Sequence, residues 1–146
     1  MEKYIFLLVI FVTLITSQVL KFIIESIQTK KINIFRLFDG SGGMPSTHSS
    51  LVSSLTMTIY LLYGVDNPLF AISLVFSLIT MYDAVGIRFE AGKQAEAINE
   101  LNEKIKQFRK RKSTKLKEQI GHQPIEVLAG LLLGITISFI LVNLIY

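Results

Sequence analysis

Residues 4–27 read YIFLLVIFVTLITSQVLKFIIESI, and this stretch decides the class of the fold. It is long enough to cross a bilayer, which takes roughly 20 predominantly apolar residues. Its only charges, Lys21 and Glu25, stand near its far end. A cleaved signal peptide is the competing reading, but one lysine precedes the apolar core and no small-x-small cleavage site follows, so a retained membrane helix is expected. Gln18 and Lys21 are three apart and share a helical face. Lys21 therefore either snorkels to the headgroups or binds an anion.

The rest of the composition agrees with membrane residence. Of 146 residues 51% are hydrophobic, and the mean hydropathy is +0.51, high for a soluble chain of this length. The absence of cysteine excludes disulfides, thiol nucleophiles and thiolate metal sites. With no tryptophan, interfacial anchoring falls to Tyr4, Tyr60, Tyr63 and Tyr146, all at ends of apolar runs.

Outward from the first helix, residues 28–44 are polar, with Lys30, Lys31, Arg36 and Asp39. They lead into GSGGMPSTHSS at 40–50 and an apolar run from Leu51 to Tyr63. Ser46 or Thr47 caps that second helix, while Gly42 and Gly43 let the backbone approach a ligand. Such a helix start favours anions, phosphate above all. At about 16 residues the helix is short for a full span. Gly64, Asp66, Asn67 and Pro68 make a turn, and a third helix follows from Leu69 to about residue 86.

Asp83 interrupts that apolar helix, and an ionisable group at membrane depth is a functional candidate. Arg88, five residues on, is placed to meet an anion at the surface. Ala91, Ala95, Ile98, Leu101, Ile105 and Phe108 recur at three- and four-residue spacing, which predicts an amphipathic helix. It runs into FRKRKSTKLK at 108–117, either a solvated charged face or a stretch lying on anionic headgroups. Nucleic-acid binding is not expected beside membrane helices. The last apolar run, Ile125 to Tyr146, carries Glu126 as its only charge.

These features predict an all-α membrane bundle of about four transmembrane helices, near 4–27, 47–63, 69–86 and 123–145, forming one domain. A basic segment with an amphipathic helix fills about 87–121. If the four helices alternate, residues 28–47 and 86–121 share one side and hold 13 of the 15 lysines and arginines. The positive-inside rule puts that side in the cytoplasm of the cell membrane and both termini outside. His48, Asp83, Arg88, His122 and Glu126 then all meet at the cytoplasmic face.

His122 and Glu126 are i and i+4. On a helix continuing back through Pro124, the carboxylate would hold the imidazole tautomer and stabilise its protonated form. A facing histidine could donate a proton to a leaving group. Nucleophile, orienting acid, proton donor and anion cradle together suggest phosphoryl transfer through a phosphohistidine. A metal site built from His48, Asp83, His122 and Glu126 has suitable ligand types, but nothing in their spacing demands one.

The segments GGMPSTHSS, MYDAVGIRFEAGKQAE and LKEQIGHQPIEVLAGLLLG resemble those of the divergent branch of the type 2 phosphatidic acid phosphatase superfamily. Pro45, Ser46, Thr47 and His48 resemble its Pro-Ser-Gly-His motif, with threonine for glycine. Residues 121–130 resemble its later Ser-Arg, five residues, His, three residues, Asp motif, with Glu126 for aspartate. The resemblance implies His122 as nucleophile, Glu126 as its partner and His48 as general acid. It implies a lipid phosphate or diphosphate substrate, membrane lipids as surroundings, and neither metal nor other cofactor.

Two departures stand out. Leu116 occupies the place of the phosphate-binding arginine, and the upstream Lys, six residues, Arg-Pro motif is missing. Anion binding would then fall to Arg88, Arg36 and Lys21, together with Ser46, Thr47 and Gly43, with Asp83 nearby in a role the motifs do not define. A catalytically inactive lipid-phosphate-binding or scaffold protein is the alternative implied by the same departures. A homo-oligomer is compatible with these features.

Overall fold

The computed structural model describes residues 2–30, 32, 34, 42–108, 115–118 and 121–146. All regular structure among them is helical: α1 (Glu2–Thr29), α2 (Thr47–Tyr63), α3 (Pro68–Val85), α4 (Ile87–Phe108) and α5 (Pro124–Ile145). The helix starts follow local chemistry. Ser46 caps α2 by accepting the Ser49 amide at 3.4 Å, and Asn67 caps α3 by accepting the Leu69 amide at 2.9 Å, ahead of Pro68 in the first turn. Gly64, at φ 77°, ends α2 in a conformation that favours glycine.

The bundle is built around α2, which packs most extensively on α5 and then on α3 and α1. Its buried positions are mainly serine and threonine: Ser49, Ser50, Ser53, Ser54, Thr56 and Thr58, beside Val52 and Ile59. Facing them on α5 are Gly130, Gly134 and Ser138, one every fourth residue. An added Cβ at Gly134 would stand 2.1 Å from Ser53 Oγ and 2.2 Å from Ser50 O, so the two backbones are nearly in contact. Ser138 Oγ donates across the interface to Ser54 O at 2.8 Å. Between α2 and α3, Thr56 Oγ1 and Ser77 Oγ lie 2.8 Å apart, and Ser77 Oγ also donates to Val52 O at 3.0 Å.

This polar interior is covered by an apolar exterior. On α3 only Ser73, Ser77 and Ala84 are buried, while Leu69, Ile72, Val75, Phe76 and Ile79 are exposed. Lipid offers no hydrophobic drive to bring helices together, so small residues and interhelical hydrogen bonds take over that role. Three spans, Tyr4–Thr29, Pro68–Ile105 and Pro124–Ile145, are long and apolar enough to cross a membrane. The fourth expected span, α2, has 17 residues and extends only about 25 Å. It lies inside the other helices and needs no apolar surface all round.

α1 contributes one buried face at every fourth residue: Ile5, Val9, Thr13, Ser17 and Lys21. Ile5 and Val9 meet Val142 in an apolar cluster at one end of the bundle, and a groove lined by Tyr4 and Ile145 brings the start of α1 beside the end of α5. Lys21 is at the opposite end.

Between α3 and α4 the chain breaks at Gly86, whose φ of −98° and ψ of −94° are not helical. α4 starts at Ile87, four residues before the amphipathic pattern sets in at Ala91. The return chain lies back along α4. Asn99 accepts the Leu116 amide on Oδ1 at 2.9 Å and donates from Nδ2 to Leu116 O and Glu118 Oε1, each at 2.8 Å. Farther back, a Cβ on Gly121 would come within 2.3 Å of Phe89 Cα, and the His122 amide donates to Ala84 O at 3.1 Å.

Candidate active site

The ends of α1 and α3, the starts of α2 and α5 and the first turn of α4 meet at one end of the bundle. Two backbone hydrogen bonds fasten them: Ser46 N–H to Glu126 O at 2.9 Å, and His122 N–H to Ala84 O at 3.1 Å. Gly42 and Gly43, with φ of 45° and 84°, turn the incoming chain toward α2.

His48 stands in the first turn of α2 with its side chain exposed. Partial burial acts on it first, and then the charges of Arg88, Lys21 and Asp83. Arg88 Nε donates to Asp83 Oδ2 at 2.5 Å, an ion pair accessible on both sides. Lys21 is only 1% exposed, which overturns snorkelling: its side chain is enclosed by the bundle and does not extend to the headgroups. It lines a cavity of about 280 Å³ together with Glu25, Gln28, Gly43, Gln123 and Glu126. A larger cavity of about 500 Å³ shares Glu25, Gln28, Gly43, Gln123 and Glu126 and adds Phe89, Glu96 and Glu118.

Several expected roles change. Ser46 is wholly buried; its amide is used by Glu126 O, and its hydroxyl oxygen accepts from Ser49 N and from Ser49 Oγ at 2.9 Å. It builds the turn and is not an open donor for an anion. Thr47 is the hydroxyl that is left: buried, with no hydrogen-bond partner for Oγ1 among the described residues. α5 does not extend back through Pro124. Gln123 is its extended N-cap, so His122 lies outside the helix, and the i, i+4 stacking with Glu126 does not form. Glu126 Oε2 instead accepts the Gln123 amide at 3.0 Å, a capping interaction.

His122 itself is 3% exposed, close to Ala84. Neither histidine lines either cavity; Lys21 links the two groups, facing the smaller cavity while its charge acts on His48. Arg36 lies outside the described residues. No three histidine, aspartate or glutamate side chains among the described residues are grouped to hold a metal ion, so His48, Asp83, His122 and Glu126 do not form a ligand set here.

Sequence reasoning missed Gln28 and Gln123 as cavity residues and Asn99 as the anchor of the return chain. Gln123 sits inside the quoted motif between His122 and Pro124, and Gln28 directly follows the apolar run, so position alone could have flagged both. Asn99 looked like one more polar residue of an amphipathic helix.

The arrangement and its motifs agree with a comparison of the whole sequence: a family model described as "Divergent PAP2 family" matches residues 2–137. The chain belongs to the divergent PAP2 family. A Bacillus subtilis (strain 168) protein described as "Uncharacterized membrane protein YuiD" is 42% identical to it over 139 residues, covering 88% of this chain and 87% of that protein. No solved structure matches this divergent PAP2 chain.

Proposed function

We propose that this protein is an integral membrane phosphatase that hydrolyses a lipid phosphate or diphosphate at the cytoplasmic face through a phosphohistidine, without a metal. The observation that carries the reading is the geometry of the bundle end: an accessible His48 at a helix start, fastened by the Ser46–Glu126 backbone hydrogen bond to the helix that follows His122, with the cations Arg88 and Lys21 at the same end. Cations and a helix N-terminus placed together favour a phosphate group.

In the first step an imidazole nitrogen of His122 attacks phosphorus, and the bond from phosphorus to the lipid oxygen breaks. His48, whose protonated form the negative charge of the bound phosphate favours, gives its proton to that oxygen as it leaves. In the second step neutral His48 takes a proton from water, which attacks phosphorus; the P–N bond breaks and inorganic phosphate departs. Arg88 and Lys21 offset the charge that builds on the equatorial oxygens, and the Thr47 hydroxyl supplies a donor. Glu126, fixed by its cap, keeps a second carboxylate oxygen for orienting charge on His122. The basic loops face the cytoplasm and raise the local concentration of anionic substrate.

One observation favours a second reading, a protein that binds a lipid phosphate without turning it over. Leu116, in the arginine position of the motif, docks on Asn99, eleven residues along α4 from Arg88 and so roughly 16 Å away. An arginine there would stand far from His48, and the anion site depends on Arg88 and Lys21. Phosphate release from a panel of lipid phosphates by parent, His122→Ala and His48→Ala proteins separates the readings. Release abolished by both changes supports the phosphatase; release unaffected by either removes the mechanism; binding with no release by the parent supports the second reading.

A further inference from the structure

Asp83, near the end of α3, is a carboxylate that the proposed reaction does not use. A carboxylate offers a phosphate only acceptor oxygens, so it is a poor ligand for one. The structure assigns it the role of a positioning residue that presents Arg88 to the anion, an inference that rests on the anion site proposed above.

Residues five apart do not share a face of a continuous helix, where neighbours are three or four apart. Asp83 and Arg88 meet because the helix is interrupted between them at Gly86, which redirects the first turn of α4. The junction is held from the other side as well. Gly121 packs on the backbone of Arg88 and Phe89 so closely that a Cβ would lie 2.7 Å from Arg88 C, and the neighbouring His122 amide is bonded to Ala84 O. The break therefore places the Arg88 backbone against the segment carrying His122, and Asp83 then fixes the direction of the side chain.

The form of the contact matters. Asp83 Oδ2 takes the Nε–H of Arg88, and among the described residues the two Nη groups have no protein partner. A guanidinium held by its Nε edge keeps its Nη donors for a second, bidentate acceptor such as phosphate. With side-chain exposures of 48% for Arg88 and 31% for Asp83, the pair is accessible to a ligand. An ion pair this exposed also adds little to stability, so the fold does not require it.

The test is a double-mutant cycle read by calorimetric titration of the purified, detergent-solubilised protein with orthovanadate, a phosphate analogue, with lipid phosphate hydrolysis measured in parallel. Asp83→Asn is expected to raise the vanadate dissociation constant roughly tenfold, as one orienting contact is lost, and Arg88→Gln by at least as much. The double variant should bind no more weakly than Arg88→Gln alone, because Asp83 acts through Arg88. Asp83→Glu, which keeps the acceptor, should recover most of the affinity, and none of these changes should lower the melting temperature appreciably. Unchanged binding in Asp83→Asn, losses that add in the double variant, or a parent that binds no vanadate would each overturn the inference. Vanadate binding with the expected cycle but no hydrolysis by the parent leaves the Asp83 role standing and removes the phosphatase reading. Hydrolysis with an additive cycle does the reverse.

Discussion

The amide of Ser46 donates to the carbonyl of Glu126 at 2.9 Å, so one backbone hydrogen bond joins the residue that caps α2 to the first turn of α5. Four residues farther along α5, a Cβ on Gly130 would lie 2.4 Å from Ser46 O. The turn that carries His48 and the helix that follows His122 are held together at that point because glycine has no side chain.

Gly130→Val should therefore push α2 and α5 apart at the site. Overpacking typically costs about 1–3 kcal/mol, and backbone here has nowhere to relax. Thermal melting in detergent is expected to fall by several degrees, and any phosphatase activity to fall with it. A variant that melts like the parent would contradict this packing.

Glu126 has two separable roles. Its carboxylate caps α5 through the Gln123 amide, an interaction whose removal costs about 1 kcal/mol, so Glu126→Ala should lower the melting temperature. Glu126→Gln keeps an oxygen for the cap and loses the charge. It should melt within about 0.5 kcal/mol of the parent, as conservative changes do. Lipid phosphate turnover by Glu126→Gln should nevertheless drop by about 10- to 100-fold if the charge orients His122. Turnover equal to the parent would make Glu126 a cap alone.

Gly121→Ala tests the return segment. A Cβ there would lie 2.3 Å from both Phe89 N and Phe89 Cα, so the segment must lift from α4 and carry the His122 amide away from Ala84 O. The core around α2 is remote from this contact. Turnover is expected to fall by at least about 100-fold, as misplacements of about 1 Å do, while the melting temperature changes little. Full activity in this variant would show that His122 is not where the chemistry occurs.

Topology provides a separate check. Tyr4 and Ile145 line one groove, placing the start of α1 beside the end of α5, at the end of the bundle opposite Lys21. A reporter fused to the C-terminus should score as external, and a cytoplasmic reporter would put the proposed site on the other side of the membrane.

The helical membrane class was legible because the apolar runs at 4–27 and 125–146 are long and interrupted by few charges. So was the placement of His48, Asp83, Arg88 and His122 at one end, since helix alternation alone requires it. The internal packing was harder to read. Ser50, Ser53 and Ser54 look like polar punctuation until Gly130, Gly134 and Ser138 are seen facing them, and that pairing depends on contacts about eighty residues apart. The His122–Glu126 spacing misled because it presumes one helix, whereas Gln123 takes extended geometry and Pro124 starts the helix. The path of 115–122 depends on Asn99, whose role appears only when Leu116 lies beside it.

The most direct test of the central claim is chemical trapping of the intermediate. Purified protein would be mixed with a phosphorus-labelled lipid phosphate, quenched at alkaline pH within the first turnover, digested and mapped. Label is expected on the imidazole of His122, absent from His122→Ala and released as inorganic phosphate when the reaction is allowed to continue. Turnover with no labelled protein, or label on another residue, would contradict the phosphohistidine mechanism.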